Sequence, residues 1–423
     1  MKRSFLTTSF LLMLLASCNS GSMTKTSTGS DHSNTWVMIV GVLKWQDAGL
    51  NPFSALNRKD KELADLFLAK GVEEDHLVLL LDEEATLSRI KKELTSLLSR
   101  IPEGDTLVFY YAGHGIKEGD GSAYFANYDL RPDQAAATGL AVSYLGETIR
   151  AQFKGDVLWL TADCCYSGAL LEEGKKMGKI KTLVSTSSTA SNSSTANWTF
   201  TQTMIDCLQG LPLADHNRDG VISAGEWQAE LELAMIHREK QKSGFGLFGL
   251  SDGDQIARTK GSIQVSDENY PAGCYAQAFY ENQWQAVRVM GKTGQKYLCQ
   301  LYHYSDKKDV LIEAGLLKKP HFVEYPIHSK VQVIWQGQWY DAEIKEASGG
   351  FHYITYSGYD SWWDEWVMYD RIRTGKEQQL QVLWEGDWYP ALILEEKNGK
   401  YYIHYTSYGN EWDEWVGKDR VKW

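Results

Sequence analysis

The sequence predicts an α/β domain, built on a mainly parallel sheet with helices on both faces, that is followed by three small all-β domains. Three observations support this division. From about residue 35 to residue 266, short apolar runs alternate with amphipathic stretches of roughly ten to fifteen residues, which is typical of strands and helices around a parallel sheet. After residue 273 the composition changes, because 11 of the 16 Trp and 16 of the 23 Tyr lie there. The same region repeats itself with an offset of 49 residues.

The period of the apolar residues predicts each element of the α/β region. Short continuous apolar runs indicate strands that are buried on both faces, and apolar residues three and four positions apart indicate helices. Ligands of such sheets usually bind beyond the carboxyl ends of the strands. In chain order we predict strand Trp36–Gly41, helix Ala55–Lys70, strand His76–Leu81, helix Leu87–Arg100, strand Thr106–Ala112, helix Ser143–Phe153, strand Val157–Ala162, strand Ile180–Ser185, helix Phe200–Leu208 and helix Glu226–His237.

Residues 1–18 are predicted to be an export signal. Two basic residues precede an apolar stretch, Phe5–Leu15, that is too short to span a bilayer. The following Cys18 completes a Leu-Ala-Ser-Cys tetrapeptide that resembles a bacterial lipobox, and the resemblance implies that Cys18 carries lipid. A plain signal peptide with a chance cysteine is the alternative. Residues 19–34, rich in Ser, Thr and Gly, are then a flexible tether. These features predict a lipid-anchored protein of the bacterial cell envelope, facing the periplasm or the cell surface.

Charge and cysteine content narrow the partners and the chemistry. The chain has 55 acidic and 43 basic residues, which gives a formal net charge of -12. Because there is also no basic stripe, we expect no nucleic-acid partner. Of the six cysteines, five remain if Cys18 carries lipid, and an odd number in an exported protein indicates at least one free thiol. The adjacent pair Cys164 and Cys165 could form a bridge only with strain.

Two motifs place a histidine and a thiol at the ends of neighbouring predicted strands. In Tyr-Ala-Gly-His114-Gly, glycines on both sides of the histidine permit a tight turn directly after a strand. In Asp163-Cys-Cys-Tyr-Ser-Gly, the cysteines follow the next parallel strand. A base and a thiol within hydrogen-bond reach are the minimum for nucleophilic catalysis. Since alternate residues of a strand point to opposite faces, only one of Cys164 and Cys165 can face His114. No third member of a triad is evident.

With these motifs, residues 36–237 resemble the caspase-like cysteine peptidases, relatives of the metacaspases. The resemblance implies a caspase-haemoglobinase-like fold and an endopeptidase that acts on proteins or peptides. Metacaspases usually show Asp-x-Cys-x-Ser-Gly, and this register implies that Cys165 is the nucleophile and His114 its base. Backbone amides of Gly115 and Cys165 are the implied oxyanion donors. A domain with this fold that hydrolyses little, and serves as a scaffold in an envelope binding lipoprotein, is the alternative.

The same resemblance carries expectations about specificity and processing. In metacaspase-type enzymes a carboxylate at the position of Asp163 lines a pocket for Arg or Lys at P1, and Asp60 matches a second acidic position less closely. The alternative for Asp163 is a strand-end residue bonded to local backbone. Self-cleavage in relatives falls in the connection that corresponds to Gly174–Lys181. Here it could follow Lys175, Lys176 or Lys179.

Residues 215–226 match the twelve-residue calcium loop of an EF-hand. Oxygen donors fall at positions 1, 3, 5, 9 and 12, glycine at position 6 permits the sharp turn, and position 7 offers its carbonyl. The alternative is a loop of that shape held by its own side-chain bonds without an ion. The predicted Ca²⁺ ligands are Asp215, Asn217, Asp219, Val221, Ser223 and Glu226.

The C-terminal repeats predict SH3-like domains at 269–324, 325–375 and 376–423, after an α/β domain at 35–268. Val333–Tyr340 recurs as Val382–Tyr389, and the first copy is degenerate. The copies resemble chromo-barrel and Tudor-like domains, whose aromatic cages bind methylated lysine through cation–π contacts. Packing in the barrel core and rim is the alternative, and the expected ligand is an envelope protein, peptide or glycan. The cage candidates are Tyr389, Tyr405, Tyr408 and Trp412 and, in the preceding copy, Tyr340, Tyr356, Tyr359 and Trp363.

Overall fold

The computed structural model describes residues 32–192, 197–262, 267–303, 306–374 and 379–423. The predicted signal peptide with Cys18, and the predicted tether up to residue 31, lie outside the described residues. Among the helices that are described, none combines the length and the apolar character needed to cross a membrane.

The N-terminal domain contains one large sheet and two small ones. Its strands are β1 Thr35–Gly41, β2 Leu77–Leu81, β3 Thr106–Ala112, β4 Gly115–Lys117, β5 Ala123–Phe125, β6 Leu140–Ala141, β7 Val157–Asp163, β8 Lys181–Thr186, β9 Val221–Ser223, β10 Gly244–Phe248 and β11 Gln255–Arg258. Its helices are α1 Lys59–Ala69, α2 Leu87–Arg100, α3 Ala135–Thr138, α4 Val142–Gln152, α5 Ala169–Lys175, α6 Thr199–Gln209 and α7 Ala224–Ala234, with a π-helix at Met235–Glu239.

The large sheet has the strand order β10-β8-β7-β3-β1-β2 and separates two apolar cores. Side chains alternate along each strand, so Trp36, Met38 and Val40 of β1 enter one core while Val37 and Ile39 enter the other. The first core includes residues of α2, α4 and α5, and the second includes residues of α1, α6 and α7. The predicted parallel-rich sheet with helices on both faces is thereby confirmed.

Strand pairing brings the ends of β3 and β7 together. The two strands are parallel neighbours, and their last paired residues are Ala112 and Asp163. Gly113 donates its backbone N–H to the carbonyl of Asp163 at 3.4 Å, so the contact continues past the end of β3. Residues that follow the two strands therefore leave the sheet at the same edge.

The elements differ from those predicted at several points. Helix α1 begins at Lys59, because the preceding Arg58 is extended and turns its guanidinium to Asp60 and Asp82. Strand β10 pairs with β8 in the antiparallel direction. A three-stranded antiparallel sheet of β4, β5 and β6 follows His114 and has no counterpart among the predicted elements.

Each C-terminal repeat forms a five-stranded antiparallel half-barrel. Its last short strand pairs with its first, and its long second strand carries a register shift at equivalent places in the second and third copies. The strands are β12 Tyr275–Tyr280, β13 Gln283–Thr293, β14 Lys296–His303, β15 Asp306–Glu313 and β16 Leu317–Lys318, then β17 Lys330–Trp335, β18 Gln338–Ser348, β19 Phe351–Tyr356, β20 Glu365–Met368 and β21 Ile372–Arg373, then β22 Gln379–Trp384, β23 Asp387–Lys397, β24 Lys400–Tyr405, β25 Glu414–Gly417 and β26 Val421–Lys422.

The half-barrels pack against the α/β domain and against one another. Arg288 of the first one forms a buried ion pair with Glu230 of α7, at N–O distances of 2.6 and 2.7 Å. Trp362 of the second donates its indole N–H to the carbonyl of Glu118 at 2.9 Å. Lys318 of the first donates to the carbonyl of Glu411 in the third at 2.7 Å. The position of each copy is therefore fixed by specific contacts.

Candidate active site

His114 follows β3 and is held by contacts on several sides. The preceding Gly113 has a φ of 152°, a conformation that favours glycine. The imidazole lies between the rings of Trp45 and Phe53, with both centroid distances at 4.4 Å. Its Nε2 lies 2.8 Å from the carbonyl oxygen of Asn51. Burial lowers the pKa of His114 more than the Asn51 bond raises it, so the ring is neutral at pH 7.

The Asn51 carbonyl determines which nitrogen of His114 can act as a base. A carbonyl oxygen only accepts hydrogen bonds, so Nε2 carries the proton and donates it to Asn51. The lone pair of the neutral ring then lies on Nδ1. Sequence reasoning missed this orienting group because a backbone carbonyl can come from any residue type.

The two adjacent cysteines occupy different environments. Cys164 is 2% exposed and belongs to the first core, and burial raises the pKa of its thiol well above the usual value. Cys165 is half-buried, and both cysteines line a small pocket at the strand ends. A thiolate is the nucleophilic form of cysteine, so this contrast favours Cys165. A Cβ on Gly115 would lie 1.8 Å from the carbonyl oxygen of Cys165, and the glycine after His114 thereby allows this close approach.

The Tyr-Ser-Gly sequence after Cys165 makes a turn that a neighbouring loop supports. Tyr166 has a φ of 55°, so the chain reverses directly after the cysteine. The hydroxyls of Ser167 and Ser188 lie 3.1 Å apart. A Cβ on Gly168 would lie 2.4 Å from the backbone nitrogen of Ala190, so only glycine fits there without a shift. The loop after β8 is therefore packed against the turn that carries the cysteine.

Asp163 lines the small pocket, which has a volume of about 40 Å³ and includes Trp198 in its wall. Thr201 donates its hydroxyl to Oδ2 of Asp163 at 2.7 Å. Burial raises the pKa of Asp163 from 3.8 to about 6, and the nearby Glu239 contributes in the same direction. Glu239 accepts hydrogen bonds from Asn197 and from Thr199. Sequence reasoning missed Glu239, since nothing in its local sequence marks it as part of a site.

Asp60 does not line this pocket. It is fully buried and pairs with Arg58, whose guanidinium nitrogens lie 2.7 and 2.9 Å from its two oxygens. The backbone N–H of Lys61 also donates to it at 2.7 Å. The expectation that Asp60 contacts a substrate cation is not supported by this arrangement, because an internal cation already neutralises the carboxylate.

The predicted calcium loop is closed by its own hydrogen bonds. Asp215 accepts the backbone N–H groups of Asp219 and Gly220, and Glu226 accepts those of Asn217 and Ser223. All the predicted donors are oxygens, which suits a hard cation such as Ca²⁺.

The carboxylates of the loop do not converge on one point. In the part of the chain that the structure describes, the only three acidic, His or Cys side chains with ligand atoms within 4.8 Å of one another are Glu73, Asp75 and His76. The expected Ca²⁺ therefore remains a prediction that rests on the donor chemistry of the loop.

The second and third half-barrels each assemble the predicted aromatic side chains into a box. Neighbouring rings meet at steep angles, with centroid distances of 5.9 Å between Tyr340 and Tyr359 and 5.9 Å between Tyr389 and Tyr408. Sequence reasoning missed one wall of each box, although it lies in the quoted repeat. Trp335 packs 5.6 Å from Trp363, and its counterparts in the third copy are Trp384 and Trp412, at 5.5 Å.

Comparison with known families agrees with both regions. Residues 60–173 match the metacaspase, peptidase C14 domain. This match includes His114 and Cys165 and supports a cysteine peptidase domain of the caspase-like type. Residues 376–423 match the Tudor-knot family, described as the RNA binding activity-knot of a chromodomain.

Similarity to individual proteins is remote. No curated protein matches the chain. The chain is similar to the crystal structure of protein GSU0716 from Geobacter sulfurreducens, with 13% identity, a TM-score of 0.39, and coverage of 53% of this chain and 99% of that one. It is also similar to Arabidopsis thaliana AGDP1 AGD34, with 12% identity, a TM-score of 0.13, and coverage of 29% and 89%. The ADCP1 tandem Agenet domain 3-4 shows 12% identity, a TM-score of 0.13, and coverage of 29% and 87%.

Proposed function

We propose that this chain is a cysteine endopeptidase that uses His114 and Cys165 as a dyad and cuts after Arg or Lys. The observation that carries the proposal is the emergence of both residues from the ends of β3 and β7, two paired parallel strands, within the region that matches the peptidase family. A buried thiol at Cys164 and a pocket that contains Asp163 beside Cys165 support it further.

The chemistry follows from the orientation of His114. With Nε2 donating to Asn51, Nδ1 takes the proton of the Cys165 thiol, and the thiolate attacks the peptide carbonyl. The imidazolium then returns this proton to the departing amine, which leaves a thioester on Cys165. Water, deprotonated by the same ring, hydrolyses the thioester and restores the thiol. Amides near Gly115 and Cys165 would stabilise the oxyanion, at about 3–4 kcal/mol for each donor.

Selectivity for Arg or Lys would come from Asp163. Among the described residues, no cation is one of the groups that shift the pKa of Asp163, which burial raises to about 6. A guanidinium or ammonium group at P1 would supply that cation, whereas the carboxylate of a P1 Asp would add a second negative charge. The pocket of about 40 Å³ has room for only a few water molecules. A P1 side chain would therefore have to displace Trp198 or a neighbour.

Calcium would control this movement of the pocket wall. The ion would be held by Asp215, Asn217, Asp219, Val221, Ser223 and Glu226. Glu226 lies in the first turn of α7, and Glu239 ends the π-helix that continues it. Glu239 binds Asn197 and Thr199, on both sides of Trp198. A continuous helical segment therefore runs from the loop to the pocket wall, and we expect peptidase activity to depend on Ca²⁺.

One assay tests the peptidase proposal. The chain from Asn19 onward is incubated with peptides that carry Arg, Lys or Asp at P1, with Ca²⁺ or a chelator, beside Cys165→Ala. We expect turnover of the Arg and Lys peptides by the parent alone, and loss of that turnover in chelator. Equal turnover by Cys165→Ala, or no turnover in any condition, would refute the peptidase. Equal rates with Ca²⁺ and chelator would refute only the calcium dependence.

Self-processing is part of the proposal, and Lys179 is the site that fits it best. Lys175 is the last residue of α5 and pairs with Glu172, whereas Lys176 pairs with Glu173. Lys179 is exposed in the turn before β8. Intact-mass analysis of active parent and Cys165→Ala decides this point, because an uncleaved active chain would contradict it.

Two aromatic boxes favour a second candidate function, an envelope binding lipoprotein whose α/β domain is a scaffold. Lipid on Cys18 would anchor either form to the membrane. Incorporation of labelled fatty acid into the parent, but not into Cys18→Ser, tests the anchor. If Cys165→Ala also supported every cellular role of the parent, the scaffold would be the better description.

A further inference from the structure

The aromatic box of the second half-barrel opens beside the proposed nucleophile. It lines a pocket of about 350 Å³, and part of the pocket wall belongs to the α/β domain. That wall includes Tyr166, which directly follows Cys165, so its Cα lies about 3.8 Å from that of the nucleophile. The pocket is lined by Trp335, Tyr340, Tyr356, Tyr359 and Trp363 together with Lys117, Tyr166 and Ser191.

One asparagine joins the turn of the nucleophile to the second half-barrel. The backbone carbonyl of Asn192 accepts the N–H of Tyr166 at 2.9 Å. The Asn192 side chain donates to the carbonyl of Trp366 at 2.7 Å and accepts the N–H of Trp366 at 3.3 Å. The box and the nucleophile are therefore held in a fixed relation, which a subsite shared by two domains requires.

The pocket has the chemistry of a site for a cation. Its aromatic rings meet at steep angles, for example 74° between Trp335 and Trp363 and 81° between Tyr340 and Tyr356, and their faces attract positive charge. The segment 356–367 contains three acidic residues and no basic one. Among these, Glu365 lines the pocket, where Arg371 pairs with it at 2.7 and 2.9 Å. Lys117, on the side of the α/β domain, already lies 5.6 Å from the centroid of the Trp362 ring, so the aromatic wall accepts a cation.

We propose that this pocket is a substrate subsite, which holds a second positively charged side chain, Lys or Arg, of the same peptide that is cut at Cys165. The inference rests on the proposed peptidase function and adds a specificity determinant outside the P1 pocket. The corresponding box of the third half-barrel opens on a different cavity, whose lining includes Trp384, Tyr405 and Trp412. Its Trp412 packs against Phe279 of the first half-barrel, at 6.0 Å.

The duplication provides a matched pair of variants. Tyr359 and Tyr408 are equivalent, and they are 51% and 40% exposed, so neither truncation should disturb folding. The whole chain is assayed on peptides with Arg at P1 and a second Lys, or Gln, scanned over the neighbouring positions. We expect kcat/KM to be about fivefold higher with Lys at the best position, the magnitude of an exposed cation–π contact. Tyr359→Ala should lose this preference and Tyr408→Ala should keep it.

A binding measurement tests the cation subsite separately from the peptidase activity. Fluorescence anisotropy gives the affinity of Cys165→Ala for the Lys and Gln peptides without turnover, alone and combined with Tyr359→Ala or Tyr408→Ala. If no peptide is cut, the peptidase proposal fails, whereas Lys-selective binding that depends on Tyr359 would still support the cation site. Equal binding of the Lys and Gln peptides, or equal losses in the two tyrosine variants, would overturn the inference.

Discussion

Replacing Asp163 with Asn should stabilise the α/β domain and remove cleavage after Arg or Lys. The Asp163 carboxyl is buried at the end of β7, and its hydrogen bonds from Thr201 and Ser187 only partly offset the lost hydration. The result is a pKa raised from 3.8 to about 6. In its charged form Asp163 lowers the stability of the domain, yet it lies in the pocket beside Cys165. This combination is expected of a carboxylate whose role is to bind a substrate.

The size of the effect follows from the pKa shift. A rise of about two units corresponds to about 3 kcal/mol, at 1.36 kcal/mol per unit. Below pH 4 the carboxyl is protonated in both the folded and the unfolded state, so Asp163→Asn and the parent should unfold alike. Between pH 4 and 6 the unfolded chain ionises first, and the parent loses stability. Above pH 6 the variant should therefore be more stable by up to about 3 kcal/mol.

Calorimetric unfolding between pH 4 and 8 measures this difference. A Cys165→Ala background excludes self-cleavage, and Thr201→Val provides a second variant, which should raise the Asp163 pKa further and lower stability at pH 8. With Cys165 intact, Asp163→Asn should reduce kcat/KM for Arg peptides at least about thirtyfold, the loss for one partner of a buried charge pair. A variant no more stable than the parent at pH 8, or a difference independent of pH, would refute the reasoning.

Three further substitutions test other parts of the structure. Cys164→Ala should retain turnover of Arg peptides, because this thiol is buried and its raised pKa keeps it protonated; a loss as large as in Cys165→Ala would contradict the assignment of the nucleophile. Gly115→Ala should abolish turnover while the protein stays folded by circular dichroism, since the new Cβ would displace the Cys165 carbonyl. Arg288→Met should lower the free energy of unfolding by about 3 kcal/mol in denaturant titrations, because the buried Glu230 would lose both guanidinium bonds and keep its bond to the half-exposed His216. A loss below about 1 kcal/mol would show that this ion pair does not hold the first half-barrel.

The sheet and the place of the dyad could be predicted because they depend on local periodicity. Apolar runs identify β3 and β7, and the parallel arrangement of neighbouring strands puts His114 and the cysteines at one edge. The choice between Cys164 and Cys165 came from a family register, and burial in the first core gives it an independent physical reason.

What could not be predicted depends on contacts between distant parts of the chain. Asn51 orients His114 through a backbone carbonyl 63 residues away. Asp60 looked available in the sequence, but Arg58 is held between it and Asp82, a residue 24 positions after the arginine. Glu239 reaches the wall of the Asp163 pocket only because α7 continues as a π-helix. In each case the residue type alone carries no signal, since the partner is set by the tertiary fold.

The positions of the two aromatic boxes depend on residues that differ between the repeats. Trp362 and Glu411 occupy the same repeat position; Trp362 donates to the carbonyl of Glu118 at 2.9 Å, whereas Glu411 lies 3.5 Å from Lys240. Trp362→Ala would remove this hydrogen bond and also the contact of the ring with Lys117 at 5.6 Å. The free energy of locally opening β4 should therefore fall by about 1–2 kcal/mol.

Hydrogen exchange measures this opening. Amides of β4, Gly115–Lys117, should exchange about tenfold faster in Trp362→Ala, the factor that corresponds to about 1.4 kcal/mol. Glu411→Ala is the matched control and should leave β4 unchanged, because its partner lies at the end of the π-helix. Equal exchange in both variants would show that Trp362 does not hold the second half-barrel beside the dyad. The different positions of the two boxes would then have to depend on Asn192. Its two hydrogen bonds to Trp366 have no equivalent in the third repeat among the described residues.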